Sequence, residues 1–349
     1  MENIQIHERI GLTGASSFLT TLVLKRLAEL STVKEVHIFD IHSPSVASSK
    51  FIFHRVDLTK DEASAEIAST LLENNVTAFI HGSLFSGPTR RKSYHHEVES
   101  IGTFHILNAI AEAQIKKLIV HSATFVYGAH PKNPNFIHEN YELKFQGPSF
   151  VKTRVDVEKQ LEDFILNYPE CAVTILRFAP ILGPNSTNIR ARYFMSGIVP
   201  KVLGYDPLVQ FIHEDDAVRA QIIALTNNIK GVFNIVGRGI LPLSTGVHMS
   251  GKIPVPFFSA LCKTFFSAGY ATRIWELPSE IVPFFQFLCV ADGKKAETEL
   301  GFTAKYSSRQ ALKSMIEANR LRQIGFSVPS STLGEDEAYA TSQGFQRIY

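Results

Sequence analysis

A turn near the N-terminus carries the residues that point most directly to chemistry. Thr13-Gly14-Ala15-Ser16-Ser17-Phe18 follows a short apolar run, and Phe18 opens a stretch with helical spacing of its apolar residues. A strand, a tight turn and a helix start form an anion site, because free N–H groups and the helix dipole face a bound pyrophosphate. Asp40 ends the next apolar run, where a carboxylate can accept the hydroxyls of an adenosine ribose. The spacing therefore predicts a dinucleotide site.

Short apolar runs alternate with helix-like stretches along the chain. The predicted strands span 9–14, 35–40, 50–56, 76–81, 117–121, 172–176 and 231–236, and the predicted helices span 18–30, 61–74, 102–113, 150–166 and 308–323. This alternation predicts an α/β fold: a Rossmann-type doubly wound parallel sheet with a smaller C-terminal α/β substrate-binding part. We expect a dinucleotide-binding domain over 1–177, a smaller lid region over 178–325 interleaved with the last strands, and a tail over 326–349.

Composition narrows the class of protein. The 349 residues are 45% hydrophobic and 19% charged, enough apolar material for a large core, which excludes a disordered chain. A net charge of +2 is too small an excess of basic residues to indicate a nucleic-acid-binding protein. The three cysteines form no zinc or dithiol motif, and we find neither a signal peptide nor an apolar run of membrane-spanning length. We therefore expect a cytoplasmic protein without a metal site.

A series of motifs continues beyond the turn in a fixed order. They are Asp40, Val56-Asp57-Leu58-Thr59, Ile80-His81-Gly82-Ser83, Gly102-Thr103 and residues 122–128, 176–184, 211–218 and 233–237. In these motifs the chain resembles the extended short-chain dehydrogenase/reductases, the NAD-dependent nucleotide-sugar epimerases and dehydratases, over roughly residues 8–320.

This resemblance implies a cofactor and the residues that bind it. The cofactor is NAD, and the implied contacts are Gly11, Thr13, Gly14, Ser16, Ser17, Phe18, Asp40, Asp57, Leu58, His81 and Gly82. The resemblance also places Arg177, Phe178 and Pro180 near a substrate. An internal salt bridge is an equal expectation for Arg177.

Two positions of the turn depart from the family pattern Thr-Gly-x-x-Gly-x-x-Gly. Ser17 replaces the glycine that lets backbone approach the pyrophosphate, and Thr20 replaces the glycine that lets the helix lie close to the strand. We therefore expect weak or lost NAD binding, with Thr20 pushing the helix outward or forcing a local shift. Any remaining binding is predicted to favour NAD over NADP, because Asp40 would repel a 2′-phosphate.

The family's catalytic residues are replaced more completely. When the family's Tyr-x-x-x-Lys motif is anchored on Glu158-Lys159, Phe150 occupies the tyrosine position and Arg154 the lysine position. Ala123 stands where the family has serine or threonine. Phenylalanine has no proton to transfer, so the usual triad is predicted to be absent.

Three other residues are candidate replacements. Ser122 and Thr124 flank the serine position, and Tyr141 precedes the helix that carries the motif. If Lys152 is instead aligned with the lysine of the Tyr-x-x-x-Lys motif, Pro148 occupies the tyrosine position, so this alignment also lacks the tyrosine.

These departures leave two function classes. In the first, which we favour, the chain is a pseudoenzyme-like relative that binds a dinucleotide or an apolar ligand, or scaffolds a partner, without turnover. In the second, it is an active NAD-dependent oxidoreductase or epimerase that acts on an apolar or lipid-linked alcohol with a non-standard acid/base. The resemblance also implies a homodimer formed through the helices at 102–113 and 150–166.

A phenylalanine-rich segment provides the only indication of ligand chemistry. Between residues 257 and 287, seven of 31 residues are phenylalanine, with Trp275 in their midst. Core or dimer packing is the first interpretation. An apolar small-molecule ligand under a lid is the second, and contact with a membrane surface is the third.

Two clusters of charged residues have simpler interpretations than metal binding. His95-His96 follows a basic run and is expected in a solvated loop. His213-Glu214-Asp215-Asp216 is expected to open a helix, since acids in a first turn suit the dipole.

Overall fold

The computed structural model describes residues 7–84, 87–88, 90–143, 147–272 and 278–325. The strands are β1 (Arg9–Thr13), β2 (Glu35–Asp40), β3 (Phe51–Arg55), β4 (Ala78–His81), β5 (Lys117–Ala123), β6 (Ala172–Phe178), β7 (Ile181–Leu182), β8 (Val199–Val202), β9 (Leu208–Val209), β10 (Ile212–His213), β11 (Gly231–Ile235), β12 (Leu241–Pro242) and β13 (Pro254–Phe257). The predicted tail over 326–349 and Trp275 lie outside the described residues.

The helices follow the predicted ones closely in the first half of the chain. They are α1 (Phe18–Glu29), α2 (Ala63–Glu73), α3 (Lys92–His96), α4 (Gly102–Glu112), α5 (Ser149–Asn167), α6 (Ile189–Met195), α7 (Glu214–Thr226), α8 (Leu243–Met249), α9 (Ser259–Ala271) and α10 (Ser308–Gln323). A π-helical turn at Glu97–Ile101 joins α3 to α4, and a 3₁₀ segment spans Ser279–Phe285.

A parallel sheet forms the centre of the molecule. Within the described residues it has seven strands in the order β11-β6-β5-β4-β1-β2-β3. The chain builds β2 and β3 on one side of β1, then crosses over and builds the remaining strands on the other side. A crevice opens at the carboxyl ends of the strands where such a sheet changes direction. The predicted Rossmann-type fold is confirmed.

Helices cover both faces of the sheet, as a buried parallel sheet requires. One apolar cluster contains Leu19 and Val23 of α1 and Ala220 of α7. On the opposite face, Ile106 of α4 and Leu161 of α5 belong to a second cluster. The central strands are buried between these layers, so their carboxyl ends are held in fixed positions.

The smaller C-terminal part packs around a third apolar cluster, which it shares with Phe150 and Val151 of α5. Phe266, Phe284 and Phe285 are buried in it together with Tyr193 of α6. Core packing therefore accounts for these members of the phenylalanine-rich segment. Phe258, in contrast, is 65% exposed. No helix in the described ranges is both long and apolar enough to cross a membrane.

A buried ion pair connects this part to the sheet. The Arg177 guanidinium contacts both carboxylate oxygens of Glu158 on α5, at 2.5 Å from Nη2 and 3.0 and 3.1 Å from Nε. Arg177 also donates to the Tyr127 hydroxyl at 2.8 Å, and that hydroxyl donates to Asn234 of β11 at 2.6 Å. The Asn234 amide donates to two loop carbonyls at 3.0 Å each. The network holds β6 and β11, at one edge of the sheet, against α5 and the neighbouring loops.

Candidate cofactor and ligand site

A cavity of about 570 Å³ lies at the carboxyl ends of the strands, between the sheet and the smaller part. The predicted site residues that line it are Gly14, Ser16, Ser17, Phe18, Asp40, Gly82, Ser122, Ala123, Thr124, Phe150, Arg154, Phe178 and Pro180. The remaining predicted residues lie outside its lining, namely Gly11, Thr13, Asp57, Leu58, His81, Tyr141 and Arg177.

The turn after β1 is in close contact with the end of β4. Gly14 has a φ of +74°, and a Cβ there would lie 2.3 Å from the Gly82 carbonyl group, so only glycine fits. Ser17 caps α1, because its Oγ accepts a hydrogen bond from the Thr20 N–H at 3.3 Å. The turn therefore packs directly against the end of β4, and the Ser17 side chain fixes the start of α1.

Thr20 fits between helix and strand because Gly82 leaves room for it. Thr20 is fully buried, and its Oγ1 accepts a hydrogen bond from the Ser17 hydroxyl at 2.8 Å. A Cβ at position 82 would lie 2.4 Å from that Oγ1. The expected crowding at Thr20 is thus absorbed by a glycine on the neighbouring strand end.

Gly82→Ala is expected to destabilise the protein by about 1–3 kcal/mol, the usual cost of overpacking. The same change in a Thr20→Ala background should cost less, because the clash with Oγ1 is removed. Gly197→Ala is the control, since a Cβ there meets nothing within 4 Å. Urea unfolding of Gly82→Ala, Thr20→Ala, the double variant and Gly197→Ala measures the coupling between positions 20 and 82. If the free-energy changes of the two single variants simply add in the double variant, the explanation is contradicted.

Asp40 lies half-buried at the rim of the cavity. Ser16 donates to its Oδ2 from both the backbone N–H and the hydroxyl, at 3.3 Å each, and the His42 N–H donates to Oδ1 at 3.3 Å. A carboxylate has about four acceptor positions, and these bonds are long. Asp40 is therefore available to accept further hydroxyl donors from a ligand.

Several predicted cofactor residues support the turn from behind rather than line the cavity. Thr13 Oγ1 lies 2.8 Å from His81 Nδ1, and His81 Nε2 lies 3.0 Å from Thr103 Oγ1. Burial lowers the pKa of His81 to about 3, so the ring is neutral in this chain of hydrogen bonds. A Cβ at Gly11 would lie 2.4 Å from the Phe79 ring, which explains the glycine by packing.

The Asp57-Leu58 pair also acts beside the cavity. Asp57 Oδ1 accepts hydrogen bonds from the N–H and hydroxyl of Thr59, at 3.0 and 2.8 Å. Leu58 is buried, and its Cβ lies 3.1 Å from where a Cβ of Gly102 would be. Burial, together with the charges of Asp57 and Asp40, raises the pKa of Tyr94, a cavity residue.

The cavity also contains the three positions that the resemblance to the family predicts to be catalytic. Ala123, Phe150 and Arg154 all line it, so the structure brings them together. The Phe150 ring centre lies 5.1 Å from that of Phe125 and 6.0 Å from that of Phe284. The ring is thus one member of an aromatic surface.

Arg154 also belongs to a buried polar chain. Its Nη2 lies 2.6 Å from Glu99 Oε1, which is 3.0 Å from His95 Nε2. Burial alone would raise the pKa of Glu99, but the Arg154 charge holds it below its usual value. The prediction of a solvated loop at 95–96 is wrong for His95, because α3 buries this residue to meet Glu99.

The candidate replacements differ in position. The Ser122 hydroxyl donates to Glu158 Oε1 at 2.5 Å, so it belongs to the Arg177 network. Thr124 is buried and lines the cavity. Tyr141 lies outside the lining, with its ring centre 6.3 Å from that of Tyr127.

Arg177 requires a correction on the substrate side. Its guanidinium is engaged by Glu158 and Tyr127 and is buried outside the cavity, so the internal salt bridge is the role that the structure assigns. Phe178 and Pro180 do line the cavity.

Residues 213–216 open α7 as predicted. His213 Nδ1 accepts a hydrogen bond from the Asp215 N–H at 3.2 Å, and Asp216 accepts the backbone N–H groups of Lys305 and Tyr306 at 3.0 and 2.9 Å. Within the described part of the chain, no group of three or more His, Cys, Asp or Glu side chains could hold a metal ion.

Sequence reasoning missed several cavity residues with polar or reactive groups, and four of them bear on the chemistry of the site. They are Tyr94, His121, Arg190 and Cys289. His121 Nε2 lies 2.8 Å from Gln221 Oε1, and burial lowers the pKa of this ring to about 4. Burial raises the pKa of the Cys289 thiol to about 12. The only local signal was Asn188, which caps the helix that carries Arg190.

Most of the sheet-forming chain matches one known family. The model of the NAD dependent epimerase/dehydratase family covers residues 10–236. The chain belongs to this family. An uncharacterized protein of Mycobacterium tuberculosis (strain ATCC 25618 / H37Rv) is 27% identical over 327 residues, covering 93% of this chain and 87% of the relative. The UDP-glucose 4-epimerase of Bacillus subtilis (strain 168) is 25% identical over 291 residues, covering 74% of this chain and 79% of the relative.

Solved structures of epimerases and dehydratases share the fold. MoeE5 in complex with UDP-glucuronic acid and NAD superposes with a TM-score of 0.70 at 19% identity, covering 90% of this chain and 99% of that one. The UDP-glucose 4-epimerase of Thermotoga maritima with UDP-glucose has a TM-score of 0.69 at 19% identity, with the same coverage. This member of the epimerase/dehydratase family therefore retains the family architecture at low sequence identity.

Proposed function

We propose that this family member binds NAD at the Gly14 turn and holds a small apolar ligand beside it without the family's acid/base chemistry. The observation that carries the proposal is the presence of Phe150 and Ala123 in the cavity lining, at positions that the resemblance to the family predicts to be catalytic. A hydroxyl-bearing carbon loses hydride only as its proton leaves to a base. Neither side chain can accept that proton.

The cofactor end supports NAD as the bound dinucleotide. Gly14, Ser16 and Ser17 line the cavity at the N-terminus of α1, where free N–H groups and the helix dipole suit a pyrophosphate. Asp40 stands at the rim with acceptor positions for ribose hydroxyls. MoeE5 and the UDP-glucuronic acid 4-epimerase of Bacillus cereus are both described as complexes with NAD. When bound, NAD would supply a hydride acceptor.

Titration calorimetry with NAD and NADP tests the cofactor. NAD should bind more tightly, since the Asp40 carboxylate repels a 2′-phosphate. Asp40→Ala is expected to weaken NAD binding about 10-fold or more, the value of hydrogen bonds to a charged group, and to reduce the preference for NAD. Asp61→Ala, which changes an exposed acid, should leave both affinities unchanged. Tighter binding of NADP by the native protein would overturn the assignment.

The far end of the cavity supports an apolar ligand. Its lining there is formed by side chains from β9, the 3₁₀ segment and the residues around them, namely Leu208, Val209, Phe211, Ile281, Phe284 and Phe287. Such walls favour apolar ligand surface by roughly 25 cal/mol per Å² removed from water. A sugar ring would leave its hydroxyls without partners on these side chains.

The other proton-bearing groups of the cavity support a role without turnover. His121 is neutral and its Nε2–H donates to Gln221 Oε1, and the Ser122 hydroxyl donates to Glu158. The Cys289 thiol, with its raised pKa, lies 3.4 Å from the Thr124 carbonyl oxygen, to which it donates. These groups are not tuned to exchange protons near pH 7.

We further propose a homodimer formed through α4 and α5. Phe104 of α4 is 54% exposed, and Ile101, which directly precedes the first residue of α4, is 40% exposed. Phe104→Glu is expected to halve the molar mass seen by sedimentation, because a charge would be buried at the contact. Leu72→Glu on α2, where the side chain is 51% exposed, is the control and should leave the mass unchanged. A native monomer would contradict this arrangement.

We place the protein in the cytoplasm. Cys171, Cys262 and Cys289 are all free thiols, which suits a reducing compartment. Fractionation of cells that express the full chain tests the location, and recovery in an oxidising compartment would overturn it.

A further inference from the structure

Arg190 places a positive charge in the apolar end of the cavity. It lines the cavity from the first turn of α6. Its guanidinium carbon lies 5.6 Å from the ring centre of Phe285 and 5.9 Å from that of Phe284. Among the described residues, no carboxylate lies within ion-pair distance of it. Desolvation lowers the pKa of Arg190.

Arg190 is half-buried, and the two fully buried arginines of this region have carboxylate partners. Arg154 is paired with Glu99 and Arg177 with Glu158, at 2.6 and 2.5 Å. A guanidinium withdrawn from water without an anion is unfavourable. Its contact with aromatic faces offsets this only in part. Arg190 therefore differs from its neighbours in lacking a protein anion.

The neighbouring polar groups cannot serve as that anion. Asn188 Oδ1 accepts the N–H groups of Arg190 and Ala191, at 3.0 and 3.1 Å, which fixes the backbone from which Arg190 projects. Gln210 exchanges two hydrogen bonds with the Ala291 backbone, at 3.0 and 3.1 Å. Both side chains are neutral, so neither supplies a counter-charge to Arg190.

We propose that the ligand of this cavity is an amphipathic anion, an acyl or alkyl chain whose carboxylate or phosphate group pairs with Arg190. The inference rests on the proposed apolar ligand and names its chemical class. The planar guanidinium donates two parallel hydrogen bonds to either oxyanion. The chain then lies against the aromatic and aliphatic walls that Phe284, Phe287 and Ile281 provide.

Calorimetry of the full chain with saturating NAD tests the proposal. The probes are dodecanoate, dodecyl phosphate and dodecanol, each below its micelle concentration, and UDP-glucose. We expect at least one of the two anions to bind, and to bind at least 10-fold more tightly than dodecanol, the usual value of a charge-assisted hydrogen bond. The stronger of the two anions identifies the head group.

Variants at position 190 assign the effect to the guanidinium. Arg190→Gln should reduce affinity for the preferred anion about 10- to 100-fold and leave that for dodecanol unchanged. Arg190→Lys should restore part of the binding. Arg192→Gln, an exposed change on the same helix, should have no effect. Thermal melts of each variant confirm folding, and the Lys variant retains a test if the Gln variant unfolds.

The results that would overturn this proposal differ from those that would overturn the proposed function. Equal affinity for dodecanol and the two anions, or anion binding indifferent to Arg190→Gln, overturns the proposal. Tighter, Arg190-dependent binding of UDP-glucose overturns it in favour of a nucleotide diphosphate. If NAD itself fails to bind, the proposed function fails first, whereas NAD binding without binding of the anions refutes this inference alone.

Discussion

Replacing Glu158 with alanine is expected to lower the free energy of unfolding by about 3–5 kcal/mol, the usual effect of removing one partner from a buried ion pair. The Arg177 guanidinium would remain buried without its carboxylate, and the Ser122 hydroxyl would lose its acceptor. Urea unfolding followed by circular dichroism gives the value. The effect reaches well beyond α5, because the same guanidinium holds Tyr127.

Glu162→Ala provides the matched control, since this glutamate is exposed on the same helix. It should change stability by less than about 0.5 kcal/mol. Replacing both Glu158 and Arg177 with methionine should cost less than Glu158→Ala alone, because no unpaired charge is left. A loss below about 1 kcal/mol for Glu158→Ala would contradict the central role of the pair.

Restoring the family's hydroxyls is expected to create hydride transfer, since we propose that the native chain lacks the family's acid/base group. The triple variant Phe150→Tyr, Arg154→Lys and Ala123→Ser should raise turnover by about 10²–10⁴, the usual contribution of general acid/base catalysis. All three positions line the cavity, and lysine keeps a positive charge opposite Glu99. NADH absorbance, followed with a panel of nucleotide sugars and long-chain alcohols, measures the change.

The double variant Arg154→Lys and Ala123→Ser, which retains Phe150, is the control, because it supplies the serine hydroxyl and the lysine but no phenol. It should remain at the native level. Robust turnover by the native protein, abolished by Thr124→Val or His121→Phe, would overturn the non-catalytic proposal. It would instead support an active oxidoreductase with an unusual acid/base.

The parallel sheet was predictable because long apolar runs and helical spacing alternate clearly over the first half of the chain. The predicted strand at 35–40 coincides with β2, and the predicted helix at 150–166 differs from α5 by one residue at each end. Strands of two residues, such as β7 and β9, have no periodicity to detect. They form because the chain around them packs over the end of the sheet.

The candidate site was predictable where chemistry is local. The turn at Gly14 and the acid at Asp40 belong to one βαβ unit, so their spacing carries the information. Arg190 lies in a helix of seven residues, and its proximity to Phe285 arises only from tertiary packing. His95 was misplaced for the same reason, since its partner Glu99 is buried by the neighbouring α5 residue Arg154.

The hydrogen bond from Tyr127 to Asn234 spans 107 residues of sequence, and this distance affects how the protein folds as it is synthesised. Until residue 235 has emerged, β6 is an open edge strand and the network around Arg177 is incomplete. At ordinary rates of translation, the segment between β6 and β11 takes about 3–10 s to produce. Unpaired strand edges associate with other chains. The nascent protein is therefore most exposed to aggregation, and most dependent on chaperones, during this interval.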